Sequence, residues 1–294
     1  MANVIIIGSG PAGISTALYT TRAGISTRII GKDHGALGKA SEIENYYGFS
    51  QPISGNDLIT EGIEGARRLG AEIVTDEVLG ISYGDKLTVI TKSGEYEADS
   101  VVLATGTSRT APKINGLREY EGHGVSYCAV CDAFFYRGKD VAVLGDGSYA
   151  LHEALELLPT SNTVTILTNG KEPEFPVPQN IIVNTSIIDS IRGNDAVEEV
   201  HFQNGETLHI SGLFVAIGVA GSTDLAKKIG AVTQNNKIIV DENMSTNIPG
   251  VYAAGDCTGG LLQISKAVYE GARAGTEIVK YLRNNDRKNT SSFS

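Results

Sequence analysis

The sequence predicts an α/β protein that contains two Rossmann-like, three-layer domains. Two observations support this fold class. A glycine-rich turn between a strand and a helix occurs twice, starting at Gly8 and again at Gly145. In addition, 294 residues exceed the length at which a single hydrophobic core usually stops growing. Repeated strand–turn–helix units of this kind form a parallel sheet covered by helices.

The first copy begins with an apolar strand over residues 4–7, which stops at Gly8 as a buried parallel strand should. A helix is expected over residues 14–23 and the next strand over residues 27–30. In this setting the first glycine makes the turn, the second lets backbone N–H groups approach a pyrophosphate, and the third lets helix and strand pack. The candidate dinucleotide-binding positions are Gly8, Gly10, Pro11, Ala12 and Gly13.

The acidic residue expected to bind a ribose at the end of the second strand is displaced here. That strand is followed by Gly31-Lys32-Asp33, which makes Asp33 a candidate for the ribose contact. A solvated loop acid is an equally good interpretation of Asp33, and the sequence leaves both open.

The second copy predicts a strand over residues 141–144, a G-x-G-x-x-A turn over 145–150, a helix over 151–158 and a strand over 164–167. The C-terminal part returns to the first fold, with a strand over residues 251–254 followed by Gly255-Asp256-Cys257. A last helix is expected over residues 269–282. The polar tail from residue 284 to residue 294 has no periodicity and is expected to be loosely ordered.

Two of the three cysteines, Cys128 and Cys131, have the C-x-x-C spacing of a metal half-site or a redox pair. The five histidines offer no second half-site, which favours a redox pair. At a helix start one thiol of such a pair becomes more acidic, and its thiolate attacks a disulfide through a mixed disulfide. Asp132 could shuttle a proton or cap the helix. Cys257 is expected to be a small buried packing residue.

The composition excludes two classes of partner. A formal net charge of −10 argues against nucleic acid. No apolar run is long enough to span a bilayer, and the N-terminus shows no signal pattern, so a cytoplasmic location is expected. The charge is uneven: residues 117–245 hold 17 acids and 8 bases, a net of −9, whereas the rest holds 17 acids and 16 bases, a net of −1.

Taken in order and spacing, these motifs resemble the low-molecular-weight bacterial thioredoxin reductases over nearly the whole chain. The segments that carry the resemblance are residues 8–13, 42–48, 104–106, 128–132 and 255–256. The resemblance implies a discontinuous FAD-binding domain, residues 1–113 and 246–294, split around a pyridine-nucleotide-domain-like insert, residues 117–245, which carries the C-x-x-C. It further implies that Asp256 binds the ribityl chain of FAD and that Asn45 lies near the flavin ring. It places Thr105 and Gly106 at the crossover between the domains and implies a homodimer that reduces thioredoxin.

One part of the family pattern is missing. NADPH-dependent members carry an arginine cluster after the second strand of the insert, because a guanidinium pairs with the 2′-phosphate. This chain has Thr168-Asn169-Gly170-Lys171-Glu172 there, and Asp146 adds a negative charge to the turn itself. We therefore expect NADPH not to bind. In this respect the chain resembles the ferredoxin-dependent flavin thioredoxin reductases.

In that branch ferredoxin supplies electrons to FAD, and the near-neutral FAD domain is the expected docking face for an acidic donor. Seven cations could contribute, although each could equally be a solvated surface residue: Arg22, Arg28, Lys32, Lys39, Arg67, Arg68 and Lys113. Phe293 could cover the flavin, or belong to a disordered tail. Two alternatives remain open: an atypical NAD(P)H site, and a flavin redox sensor without turnover.

Overall fold

Two parallel sheets organise the chain, one in each of two units. A computed structural model describes residues 3–106, 112–218 and 220–291, with the side chains of Val130 and residues 286–291 excepted. The first unit comprises Met1–Ser108 and Gly221–Ser294, and the second comprises Arg109–Ala220.

The first stretch of the first unit contains two helices and seven strands. They are β1 (Asn3–Ile7), α1 (Pro11–Arg22), β2 (Ser26–Gly31), α2 (Gly55–Arg68), β3 (Glu72–Thr75), β4 (Val78–Tyr83), β5 (Leu87–Thr91), β6 (Glu95–Ala98) and β7 (Ser100–Leu103). The strand β1 pairs in parallel with β2 and β7, while β4, β5 and β6 form a separate antiparallel sheet. The residues of β1 from Val4 onwards are at most 2% exposed, which explains their uninterrupted apolar run.

The second unit repeats the parallel arrangement. Its elements are β8 (Val125–Ser126), α3 (Ala129–Asp132), β9 (Asp140–Leu144), α4 (Ser148–Leu157), β10 (Thr163–Leu167), β11 (Ile182–Asn184), β12 (Ile188–Gly193), β13 (Val197–Phe202), β14 (Thr207–His209) and β15 (Gly212–Val215). The parallel sheet has the order β11-β10-β9-β15-β8, and β12, β13 and β14 form an antiparallel sheet. The predicted second dinucleotide-type fold is therefore present.

The chain then returns to the first unit. The returning elements are α5 (Ser222–Lys228), β16 (Thr233–Gln234), β17 (Lys237–Ile238), β18 (Val251–Ala253) and α6 (Ile264–Ser291). The strand β18 joins the edge of the first sheet, which gives the order β18-β7-β1-β2-β3. The α/β fold class with two Rossmann-like sheets is confirmed.

The C-terminal limit of the second unit differs from the expected one. The insert was expected to run to residue 245, whereas residues 221–245 pack with the first unit. The reason is a set of tertiary contacts: Ser222 is fully buried and its hydroxyl accepts the Thr105 N–H at 3.0 Å, and the Lys228 ammonium donates to the Leu79 carbonyl at 3.0 Å. Apolar patterning alone does not reveal which unit such a segment joins.

The last helix is longer than expected at both ends. It begins at Ile264, directly after a glycine-containing turn, and continues to Ser291, so most of the tail expected to be loose is helical. No glycine or proline interrupts residues 276–291, and Lys280 pairs with Glu277 one turn earlier at 2.8 Å. Within the described residues, no helix combines the length and the apolar character needed to cross a membrane. Phe293 lies outside the described residues.

Candidate functional site: a dinucleotide cradle and a disulfide

The glycine turn after β1 has the backbone geometry that the sequence predicted. Gly8 has φ +115°, and a Cβ at Gly13 would lie 2.0 Å from the Gly8 carbonyl oxygen, so neither position accepts another residue without a shift. A Cβ at Gly10, in contrast, would meet no heavy atom within 4 Å. The backbone at Gly10 therefore faces open space at the start of α1, where unpaired N–H groups favour an anion.

The other predicted cofactor residues lie at the same edge of the sheet. Thr105 and Gly106 follow β7, which neighbours β1, and Asp256 follows β18, which neighbours β7, so all three lie at the carboxyl ends of parallel strands of the first sheet. The turns approach one another closely: a Cβ at Gly8 would lie 2.4 Å from the Ala104 carbonyl oxygen, and one at Gly255 would lie 3.0 Å from Ala12 Cβ. These residues fit the phosphate and ribityl parts of a dinucleotide such as FAD.

A buried ion pair holds the Gly255 turn in place. The carboxylate of Glu270, which is 8% exposed, accepts the Gly255 N–H at 2.8 Å and the Thr258 hydroxyl at 2.9 Å. Lys266 pairs with this carboxylate at 2.9 Å and donates to the Gly255 carbonyl at 2.8 Å. Both partners are on α6, so the last helix positions Asp256, the residue next to the turn.

Asp33 and Asn45 are exposed, and each already makes a contact within the first unit. The Asp33 carboxylate accepts the Gly35 N–H at 2.8 Å, which is the behaviour of a loop acid, while its carbonyl accepts the Ser9 hydroxyl at 3.2 Å and so lies beside the glycine turn. Asn45 donates to the Gln263 side chain at 3.1 Å, one residue before α6. The Asn45 stretch therefore lies beside the start of α6.

The two cysteines of the C-x-x-C motif form a disulfide, with a Cα–Cα distance of 5.3 Å. The two sulfurs differ in access, because Cys128 is 3% exposed whereas Cys131 is exposed. Cys128 is the N-cap of α3, and its sulfur accepts the Cys131 N–H at 3.2 Å. The predicted placement of the pair at a helix start is therefore observed. The third cysteine, Cys257, is buried, and burial raises the pKa of its thiol to about 11.

Two carboxylates flank the segment that carries the disulfide. Asp132 accepts the Ser126 hydroxyl at 2.6 Å, and Ser126 in turn accepts the Cys128 N–H at 3.1 Å. On the other side, Glu153 of α4 is only 1% exposed and accepts the Ala129 N–H at 2.8 Å. The backbone around Cys128 is thus held in place by two hydrogen bonds, one from the Cys128 N–H to Ser126 and one from the Ala129 N–H to Glu153.

The second glycine turn is closed by the side chains around it. Asp146 is 8% exposed and pairs with Lys171 at 2.6 Å, and its carbonyl accepts the Glu174 N–H at 2.8 Å. A Cβ at Gly147 would find the Glu174 carboxylate at 3.6 Å, whereas the corresponding position in the first turn is open. A phosphate approaching the second turn would meet two carboxylates, and the one lysine is already paired.

The seven cations expected to attract a donor differ in their pairing and in the unit and sheet edge to which they belong. Arg28, Lys32 and Arg67 each pair with a glutamate of the first unit, and Lys113 belongs to the second unit. Arg22 and Arg68 end α1 and α2, which run back to the amino edge of the sheet, opposite the glycine turn. Among the six that lie in the first unit, Lys39 is the one that is exposed, has no salt bridge in the part of the chain described and also lies near the carboxyl edge.

Three contacts of the site are not apparent from motifs: the Ser126 link, the Glu153 link and the Asp146–Lys171 pair. Only Glu153 leaves a signal in the sequence. It lies on the face of α4 that carries Ala150, Ala154 and Leu157, where a charged residue is out of place unless it has a buried partner.

Residues 2–271 match the family described as pyridine nucleotide-disulphide oxidoreductase. The chain is 36% identical to a thioredoxin reductase of Rickettsia prowazekii (strain Madrid E), with 95% of this chain and 97% of the relative covered. The crystal structure of the atypical thioredoxin reductase TRi from Desulfovibrio vulgaris Hildenborough superposes with a TM-score of 0.91 at 42% identity, over 97% of this chain and 99% of that one. A ferredoxin-flavin thioredoxin reductase from Clostridium acetobutylicum gives a TM-score of 0.71 at 33% identity, over 96% and 98%. The chain belongs to the pyridine nucleotide-disulphide oxidoreductase family.

Proposed function

We propose that this protein is an FAD-dependent thioredoxin-disulfide reductase whose flavin is reduced by ferredoxin rather than by NADPH or NADH. When bound, FAD would supply the electron pair that reduces the Cys128–Cys131 disulfide. Gly8, Gly10, Pro11, Ala12, Gly13, Asp33, Asn45, Thr105, Gly106 and Asp256 would hold the cofactor.

The contrast between the two glycine turns carries the proposal. Both have the loop and helix of a dinucleotide site, but only the first is open above its second glycine, at Gly10. In the second, Asp146 and Glu174 lie where a pyrophosphate would have to approach, and like charges repel. No arginine fork follows β10 to pair with a 2′-phosphate. The second unit would then serve as the scaffold of the dithiol.

The unequal burial of the cysteines suggests their order of action. In the reduced state the thiolate of the exposed Cys131 would attack the thioredoxin disulfide, forming a mixed disulfide and releasing one substrate sulfur, which takes up a proton. Cys128 would then lose its proton and attack the Cys131 sulfur. The Cys128–Cys131 bond re-forms, and thioredoxin leaves as a dithiol with two electrons and two protons.

Asp132 is suited to move the protons of this exchange. Its carboxylate follows Cys131 directly in the chain and is fixed by the Ser126 hydroxyl at 2.6 Å. A carboxylate that is fixed in this way next to Cys131 in the chain would accept a proton from one thiol and return it to a leaving sulfur. This contact also argues against the helix-cap interpretation, since the carboxylate accepts from Ser126 of β8.

Ferredoxin as donor rests on the closed second turn together with the likeness to the ferredoxin-flavin thioredoxin reductase of Clostridium acetobutylicum. Surface charge adds little support, since most of the expected cations are paired with acids or lie away from the carboxyl edge. We further propose that the enzyme acts in the cytoplasm as a homodimer, for which light scattering of the purified protein is a direct test.

The test is anaerobic reduction of the purified flavoprotein by NADPH, by NADH and by reduced ferredoxin, followed by bleaching of the flavin absorbance. Only ferredoxin should bleach the flavin rapidly, and with thioredoxin present it should sustain turnover. Rapid bleaching by micromolar NADPH or NADH would contradict the donor assignment. Full flavin reduction with no thioredoxin turnover would instead favour a redox sensor. The Cys128→Ser and Cys131→Ser variants should bleach normally and lose turnover.

A further inference from the structure

A buried carboxylate is hydrogen-bonded to the backbone next to Cys128 and has no part in the exchange described above. Glu153 is 1% exposed, and its carboxylate accepts the Ala129 N–H at 2.8 Å. Ala129 is bonded to Cys128, so standard bond lengths put the carboxylate within about 7 Å of the Cys128 sulfur. A glutamate that is almost fully buried needs partners for its carboxylate, and one of these partners is the backbone N–H next to Cys128.

The start of helix α3 on its own would favour the thiolate form of Cys128, which is not the cysteine that a protein substrate can reach. Cys128 is the N-cap of α3, and its sulfur accepts the Cys131 N–H at 3.2 Å, an arrangement that stabilises a thiolate. Yet Cys128 is buried, and the exposed sulfur that a protein substrate can reach is that of Cys131. A negative charge beside Cys128 would oppose its ionisation and leave the thiolate to Cys131.

We propose that Glu153 is a positioning residue that keeps Cys128 in the thiol form and so reserves the attack on the substrate for Cys131. This inference rests on the dithiol exchange proposed above. Glu153 acts in two ways: its hydrogen bond fixes the backbone at Ala129, and its charge opposes a second negative charge on the Cys128 sulfur. It exchanges no electrons and forms no bond with the substrate.

Other ionisable groups surround the dithiol segment and must be held constant in a test. Those on α3, on the neighbouring helix α4, and on the turns before and after α3 are Tyr127, Asp132, Tyr136, Tyr149, His152 and Glu156. Glu156 provides the matched control, because it is a glutamate of the same helix but is exposed to solvent. Glu153→Gln is the decisive change, since the amide oxygen can still accept the Ala129 N–H while the charge is lost.

The measurement is the pH midpoint of Cys128 ionisation in the reduced Cys131→Ser background, followed by the ultraviolet absorbance of the thiolate. Adding Glu153→Gln should lower this midpoint by roughly one to two pH units, the effect of one unit charge about 7 Å away at an effective dielectric near 20. Adding Glu156→Gln should leave it unchanged. Glu153→Met provides a second uncharged variant should the glutamine form fail to fold, with thermal melting as the check.

An unchanged midpoint in folded Glu153→Gln or Glu153→Met protein would overturn the proposal. In a protein with both cysteines, alkylation by iodoacetamide followed by mass spectrometry should find Cys131 modified first, and Glu153→Gln should narrow that preference about tenfold or more. Neither measurement uses thioredoxin or an electron donor. A shift in the midpoint without any thioredoxin turnover would therefore support this inference and contradict the proposed function. An unchanged midpoint in a protein that does reduce thioredoxin would contradict this inference and leave the proposed function standing.

Discussion

Replacing Gly10 with alanine tests directly whether the first glycine turn binds a phosphate. A Cβ at this position meets no protein atom within 4 Å, and the backbone angles, φ −78° and ψ −177°, are allowed for any residue. The stability of the cofactor-free protein should therefore change by less than about 0.5 kcal/mol. Any larger effect must arise through a ligand.

The expected effect on cofactor binding follows from what the methyl group would cover. The N–H groups of Ala12 and Gly13 are at the start of α1 and have no partner within the helix, while Pro11 has none to offer. A phosphate oxygen must approach them past Gly10. Losing one such charge-assisted hydrogen bond costs about 1.5–3 kcal/mol, which corresponds to a Kd for FAD that is higher by about 10- to 150-fold.

The assay is titration of apoprotein with FAD, followed by flavin fluorescence, alongside thermal melting of the apoprotein. Gly13→Ala is the matched control, because its Cβ would lie 2.0 Å from the Gly8 carbonyl oxygen and 3.1 Å from Ile6 Cγ2. That variant should lower the melting temperature of the apoprotein itself. If Gly10→Ala bound FAD with an unaltered Kd, the turn would not be the phosphate site.

Three further predictions concern the second unit and the free cysteine. The Asp146→Asn, Glu174→Gln double variant should raise kcat/KM for NADPH-driven flavin reduction at least about tenfold, because it removes two negative charges that repel the cofactor phosphates. An unchanged kcat/KM would show that another feature prevents NADPH from binding at this turn. Ser126→Ala should lower thioredoxin turnover about tenfold, which is the effect of losing one hydrogen bond to a charged group, whereas Ser126→Thr should keep much of the turnover. Equal turnover in the two variants would show that the Ser126 hydroxyl does not position Asp132. Burial raises the pKa of the Cys257 thiol to about 11. The thiol should therefore resist iodoacetamide in native protein at pH 8 and react only after unfolding or as the pH approaches 11. Rapid labelling of the native protein would show that Cys257 is accessible.

The elements that the sequence predicted well are those whose cause is local. The strands β1, β9 and β10 are apolar runs, and glycine follows β1 and β9 directly, which is a signal that needs no knowledge of the rest of the fold. The bounds of helix α6 were harder to predict from the sequence. Its first turn carries no acidic residue, and the sequence of residues 284–291 is entirely polar, so neither end shows a capping or periodic signal.

The same distinction between local and tertiary causes applies to the residues of the site. The first glycine turn could be predicted because the steric demand on Gly13 arises from Gly8 and Ile6, five and seven positions earlier in the same strand–turn–helix unit. Ser126 could not be predicted, and Glu153 shows only as a charged residue on an apolar helix face, because the partners of both residues are set by where β8 and α4 lie in space. The unit to which residues 221–245 belong was likewise decided by tertiary contacts such as that between Ser222 and Thr105.

The two glycine turns show how one backbone design can serve two purposes. A Cβ at Gly145 would lie 2.2 Å from the Ala216 carbonyl oxygen, as one at Gly8 would lie 2.4 Å from that of Ala104, so both turns need glycine simply to pack. The presence of the motif is therefore evidence for the fold in both units but evidence for a ligand in neither. What separates them is the space above the second glycine, which is open at Gly10 and faces Glu174 at Gly147. A dinucleotide site is better identified by that space, and by the charges around it, than by the glycines themselves.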